Sequence, residues 1–386
     1  MADYQFNEPI PQPAWWRFLR RHWFWLLPLL IFDLALLTFY LRRKTATHPA
    51  PAQTGNVAQP DQPAGRWPPS DLRNLGFPTD QTNLLAPEAV SVFQPTASGN
   101  PESALYGSVR TRKQGRSFLP AFHEGLDIAA MQRDRQGRPL DRIYAVAPGK
   151  IGYINRIAGN SNYGRYLVLV HDDPLGEVYT LYSHLAQVDD GLQAGHNVAQ
   201  GQVLGIMGNS SSSPIPMVRA HLHFEIGIVL NDRFGNWFAS KKLKPNHGRF
   251  HGWNLLGIDP LAVYADQGRT PGFNLLRHLQ SIPPAYDLII RTDRLPDYFR
   301  RYQSLWQGEA FVPGAIVVTC TEGGVPLSGR NAKAQEADLP GRDSAKPQNV
   351  DEKALGRNGL RIITRQGDQW QLGRNGLRWL EMLLYH

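Results

Sequence analysis

From about residue 105 to 265 the chain is cut into short β-rich runs separated by glycine turns, and no other pattern restricts its fold as much. Ile143-Tyr144-Ala145-Val146 is followed by Pro148-Gly149 and then by Lys150-Ile151-Gly152-Tyr153-Ile154. Residues 166–170, 177–182, 202–207 and 220–226 continue the series. Such runs, each too short for a helix, predict a mainly β fold: a small antiparallel β-sandwich or barrel-like domain.

The last run, Ala220-His221-Leu222-His223-Phe224-Glu225-Ile226, holds two histidines two residues apart. Side chains alternate along a strand, so His221 and His223 share one face and Leu222 and Phe224 the other. Upstream lies Phe122-His123-Glu124-Gly125-Leu126-Asp127. On an extended chain His123 and Asp127 again share a face, and Gly125 between them leaves that face open. The helical zinc motif HExxH begins in the same way, but Asp at 127 breaks it, and Gly125 disfavours a helix by ~1 kcal/mol relative to Ala. A metal at His123 and Asp127 therefore needs a further ligand, and His223 is the natural source. Three imidazole or carboxylate ligands with one position left for water define a catalytic zinc site. Two more histidines, His184 and His221, are available to handle protons beside it, with their division of labour open.

These pieces, in this order, resemble the lysostaphin/LytM-type zinc endopeptidases of bacterial cell-wall metabolism. The resemblance covers roughly residues 105–265 and rests on HEGLD, VAPGKIGYI, NYGRYLVLVH, YTLYSHL, the glycine-punctuated 195–208 stretch and HLHFE. It implies Zn2+ held by His123, Asp127 and His223, with His184 and His221 as the catalytic pair. It also implies peptidoglycan stem or cross-bridge peptides as substrate. A non-catalytic wall-binding or regulatory module of the same fold is the rival expectation. Two departures stand out. Gly208-Asn209 runs into a longer loop, 209–220, in place of the family's Gly-Pro before the first histidine of HLH. Residues 231–253, with Lys241, Lys242, Lys244 and Arg249, read as a basic insertion. With the ligand set complete, His247 and His251 are read as non-ligands and His171 as structural.

The flanks carry other expectations. Residues 23–41 form an apolar run of about the twenty residues a bilayer core requires, although Asp33 lies near its middle. They predict a transmembrane helix after a cytoplasmic tail, 1–22, and before a Pro-rich linker, 42–70. Basic residues flank the run on both sides, so charge leaves its orientation open. Together with the resemblance, the run gives a single-pass protein of the cytoplasmic membrane whose C-terminal bulk lies in the periplasm or outside the cell. Residues 71–104 read as a connecting region with weak helical signal. Residues 266–386 read as a mixed α+β C-terminal region of unknown role, with an amphipathic helix at 295–307, a buried strand at 316–320 and a flexible loop at 326–353. An LGRNGLR repeat at 355–361 and 372–378 suggests two similar tight turns.

Composition closes off other classes. The one cysteine, Cys320, permits neither an intrachain disulfide nor a multi-cysteine metal site, and a buried small hydrophobe is its expected role. A net charge of +8 suits an anionic partner. No helix-turn-helix, finger or RNA-recognition spacing supports nucleic acid.

Overall fold

The structure, a computed structural model, describes residues 69–386 apart from 87–88, 338 and 340–344. The tail, the 23–41 segment and nearly all of the 42–70 linker lie outside the described residues. Every described residue belongs to one compact unit.

The described chain opens with three short 3-10 turns, Asp71–Asn74, Ala89–Val92 and Pro101–Ala104, where the sequence gives weak helical signal. Strands follow: β1 Gly107–Gln114, β2 Ser117–His123, β3 Leu126–Ala129, β4 Arg142–Tyr144, β5 Gly149–Asn155, β6 Tyr166–Asp173 and β7 Gly176–Ser183. After β8 Gln187–Val188, β9 Asn197–Val198 and β10 Val203–Ile206 comes the longest strand, β11 His221–Val229. Helix α1 Phe234–Ser240 and strand β12 Leu255–Ile258 complete the β-rich part. The chain then runs through α2 Pro260–Arg269, α3 Leu275–Ser281, β13 Tyr286–Thr292, α4 Asp297–Arg301, β14 Gly314–Cys320 and β15 Pro326–Asn331. It ends with β16 Ala345–Gln348, α5 Glu352–Leu355, β17 Ile363–Gln366, β18 Gln369–Leu372 and α6 Arg374–Leu383.

The main sheet has strand order β12-β11-β7-β6-β5-β9, with β3 pairing β11 beside it, and its pairs are antiparallel. Strand β11 is buried along its whole length. Leu222, Phe224, Ile226 and Ile228 join the main core on one face, each contributing about 1.5–3 kcal/mol relative to exposure. His221, His223 and Glu225 fill the other face and are buried as well. Gly125 is required for close packing rather than for open space at the site. A Cβ there would come within 2.1 Å of the Phe224 carbonyl oxygen on β11.

Expectations for the C-terminal region meet mixed outcomes. Residues 316–320 lie in β14, and Cys320 is buried. The amphipathic stretch yields the five-residue α4 and a 3-10 turn, Gln303–Leu305, because Pro296 caps the helix and Tyr302 leaves helical geometry. The stretch read as a flexible loop, 326–353, contains β15 and β16, the two edges of a sheet ordered β15-β14-β13-β16. Edge strands tolerate Pro and polar residues, so Pro326 and Pro347 hid them. The two LGRNGLR copies differ in structure: Asn358 turns with φ +50°, whereas Asn375-Gly376 lies inside α6.

The expectation of a single-pass membrane protein is corrected. No helix among the described residues is long and apolar enough to cross a membrane. The longest, α2 and α6, have ten residues each, about half of what a bilayer core needs. The segment that prompted the expectation lies outside the described residues.

Candidate metal centre

Strand pairing brings the candidate ligands together. His223 on β11 lies opposite Asp127 on β3 in the antiparallel register, and His123 ends β2 just before the turn into β3. The side chains of His123, Asp127 and His223 offer ligand atoms that all lie within 4.8 Å of one another, and all three residues are buried.

Hydrogen bonds fix which nitrogen of each imidazole carries its proton. A carbonyl oxygen can only accept, so His123 Nδ1 must donate to the Leu105 oxygen at 2.7 Å. His184 Nδ1 donates to the Ser210 carbonyl at 2.9 Å, and His221 Nδ1 to the Arg219 carbonyl at 2.7 Å. His223 reverses the pattern and donates from Nε2 to Glu225 Oε1 at 2.8 Å. Four lone-pair nitrogens remain: Nε2 of His123, His184 and His221, and Nδ1 of His223.

Two of these nitrogens and one carboxylate oxygen form a triangle. His123 Nε2 and His223 Nδ1 are 2.9 Å apart, and each is 3.1 Å from Asp127 Oδ1. Three lone pairs so close, with no proton of their own between them, repel unless positive charge joins them. The identities of the donors, two imidazole nitrogens and a carboxylate oxygen, fit zinc. Without a metal the site draws in positive charge in other ways. Burial disfavours a charged His223, but the hydrogen bonds that its protonated ring donates to Asp127 and Glu225 outweigh it and push its pKa up to about 9. Burial would likewise raise Asp127, yet the charges of His221, His123 and Arg110 hold its carboxyl well below the usual range. His123, chiefly through burial, is depressed to about 4.

His184 and His221 stand beside the triangle. Their ring centroids are 4.8 Å apart, and that of His184 is 5.9 Å from that of His223. His221 Nε2 is 3.5 Å from Asp127 Oδ2. Burial first, and then His221 and His223, hold His184 well below the usual imidazole range. His184 also has φ +62°, a left-handed backbone that few non-glycine residues adopt and that recurs where a side chain must be aimed.

The 209–220 loop builds this part of the site, because its Ser210 and Arg219 carbonyls orient the two histidines. Residues 231–253 supply none of the three clustered side chains. There Arg249 pairs with Asp232 at 2.7 Å and Glu177 at 2.8 Å, and His247 contacts Tyr153 OH at 2.8 Å. His251 Nδ1 accepts from the Trp253 amide. His171 Nδ1 donates to the Pro148 carbonyl at 2.7 Å, in line with a structural role.

Sequence reasoning missed two supports. Glu225 is fully buried and takes Tyr163 OH at 2.6 Å and Tyr179 OH at 2.8 Å as well as His223. Its period-two spacing from His223 was the available signal. Arg110 donates from Nη2 to Asp127 Oδ2 and lies 2.9 Å from His123 Nε2. Arginine in an otherwise exposed hairpin gives no such signal.

The strands thus gather a buried group of two imidazoles and a carboxylate that could hold a metal ion. Residues 121–234, just under a third of the chain, match Peptidase family M23. Among solved structures, a lytM-type glycyl-glycine endopeptidase from Ruminococcus gnavus is 24% identical over 28% of this chain and 39% of its own, with TM-score 0.22. The catalytic domain of lysostaphin from Staphylococcus simulans is 24% identical over 32% of this chain and 76% of its own, with TM-score 0.23. A zinc-containing peptidase from Vibrio cholerae is 21% identical over 35% of each chain, with TM-score 0.24. The chain thus spans about two fifths of the first of these and about a third of the last. No curated protein is significantly similar to it.

Proposed function

We propose that the chain is a zinc-dependent endopeptidase that hydrolyses peptide bonds in the stem or cross-bridge peptides of peptidoglycan. In this reading His123 Nε2, Asp127 Oδ1 and His223 Nδ1 hold the metal. A zinc ion held there would supply a water of lowered pKa and a Lewis acid for the scissile carbonyl. The other tasks fall to the chain. His184 is neutral and keeps a free Nε2, so it can take a proton there from the attacking water and return it to the leaving amine. His221 offers Nε2 to the same space and, when that nitrogen carries a proton, can donate from it. Its hydrogen bond would stabilise an oxyanion. The observation that carries the proposal is the set of four imidazoles, each pinned by an outside acceptor, whose unpinned nitrogens flank one carboxylate.

The test is digestion of purified cross-linked sacculi, with released muropeptides identified by mass spectrometry and new amino groups counted. The wild type with one bound zinc should release both. His123→Ala or Asp127→Ala should lose zinc and activity together. His184→Ala should keep zinc and lose turnover by about 100-fold or more, the usual contribution of a positioned acid or base. Zinc-loaded wild type that frees no amino groups would favour the wall-binding or regulatory alternative. Loss of metal from His184→Ala would make that residue a ligand.

A further inference from the structure

Arg110 occupies a place that its strand alone would not give it. The β1–β2 pairing is regular from Arg110↔Ala121 outward but breaks between Gly107 and Arg110, where Gly107 adopts φ +101°. A bulge of this kind re-aims the next side chain. Arg110 Nε donates to the Ser103 carbonyl at 2.8 Å, which fixes the plane of the guanidinium. Nη2 is then delivered to Asp127 Oδ2 and His123 Nε2.

This contact divides the carboxylate. Oδ1 faces His123 and His223 at 3.1 Å each, whereas Oδ2 is taken by Arg110, with His221 Nε2 3.5 Å away. With Oδ2 released, both oxygens could bind one ion, and the position meant for water would be lost. We propose that Arg110 is a positioning residue for the metal site: it holds Asp127 Oδ2 outside the ligand triangle, so that the carboxylate binds through Oδ1 alone. The proposal rests on the zinc reading above. His123 Nε2 has a single lone pair, which serves Arg110 or a metal but not both. On loading, Arg110 therefore releases His123 and keeps Asp127.

Charge alone predicts the opposite effect. A guanidinium next to a dication repels it, so a bystander arginine should weaken binding and its removal should tighten it. A positioning residue that orients a ligand raises affinity, and its loss typically costs about 10–100-fold. The sign of the change separates the two.

The experiment measures zinc affinity of the full chain by competition with a chromophoric chelator, for wild type, R110M, R110Q and R110K. It also records the visible spectrum with cobalt(II) as the probe, since band intensity follows coordination geometry. The wild type should bind one zinc. R110M should bind about 10–100-fold more weakly, with a weaker cobalt band from a carboxylate bound through both oxygens. R110K, which still offers Oδ2 a cationic donor, should recover part of both. If R110M does not fold, R110Q, also neutral, decides by the same sign. Affinity unchanged or tighter in the neutral variants, with the wild-type cobalt band, overturns the role of Arg110 and leaves the zinc reading intact. A wild type that takes up neither metal overturns the zinc reading itself.

Discussion

At the scale of single residues, the site works by tying down protons. Glu225 does this for His223 and is itself held by two tyrosine hydroxyls. Glu225→Gln keeps the shape but removes the charge, and its amide can turn a donor toward His223. Zinc affinity, read by chelator competition, should fall about 10–100-fold. No change would mean that the main chain alone sets the His223 tautomer. His171 is held in a similar way, between the Pro148 carbonyl and Thr180 Oγ1 at 2.8 Å. Burial, its largest influence, lowers the His171 pKa. In the unfolded chain it returns to about 6.5. Below that value the unfolded state binds the proton more readily, so the stabilising effect is complete above about pH 6.5 and is lost as pH falls toward the folded pKa. The contribution changes by at most about 1.4 kcal/mol per pH unit. Melting temperature followed from pH 7.5 down to 5 should fall more steeply in wild type than in His171→Gln. Parallel curves would remove His171 from the account.

At the scale of elements, the strand alternation on β11 showed which residues share a face, whereas 123–127 is not one extended run, since His123 ends β2 and Asp127 lies in β3 beyond a turn. The register of β3 on β11, which sets Asp127 opposite His223, was not readable, because pairing depends on chain far away in sequence. The glycine-punctuated runs gave the antiparallel strands, since local period and turn chemistry specify them. The backbone carbonyls of Leu105, Ser210 and Arg219 escaped notice, because every residue type carries one. Arg110 escaped because its aim depends on a bulge. The first LGRNGLR copy also has a role that sequence did not reveal: it braces the hairpin leading to His123. The Gly359 amide donates to Ser108 Oγ at 2.6 Å, and Arg361 Nη2 to the Pro120 carbonyl at 3.0 Å. A Cβ on Gly359 would come within 2.6 Å of the Ala121 carbonyl carbon and 2.7 Å of the Phe122 amide nitrogen. Gly359→Ala must therefore push β2 aside. It should cost about 1–3 kcal/mol in urea denaturation, the usual penalty of overpacking, and weaken metal binding through His123. Full stability in this variant would show that the brace yields freely.

At the scale of the whole molecule, the C-terminal region completes the same compact unit rather than hanging beside it. Pro60–His386 forms one unit by its contacts. One continuous core runs from Leu72 through Leu222 and Phe224 to Tyr298, Trp379 and Leu383. Polar contacts seal the junction at the far end of the ligand-bearing strand. Arg301 Nη2 donates to the Val229 and Leu230 carbonyls at 2.8 and 3.0 Å, and Asn231 Nδ2 to the Met382 and Tyr385 carbonyls, both at 2.8 Å. Tyr302 OH takes the Val229 amide at 3.3 Å and gives its proton to the Glu177 carbonyl at 2.9 Å, tying β11 to β7 from outside. A chain cut after residue 265 would leave the Val229 and Leu230 carbonyls, the Asn231 side-chain amide and the apolar residues beneath them in water. Each hydrogen bond exchanged for water forfeits about 0.5–1.5 kcal/mol, and each large apolar side chain left exposed about 1.5–3 kcal/mol. Several such losses together rival the ~5–15 kcal/mol by which a native domain is stable. Calorimetry of residues 69–386 should therefore give one cooperative transition, with calorimetric and van't Hoff enthalpies in agreement. The chain cut at 265 should show no transition and take up no zinc. If it instead melts cooperatively and binds one zinc as the full chain does, the part before residue 266 stands alone and the last 121 residues serve another purpose.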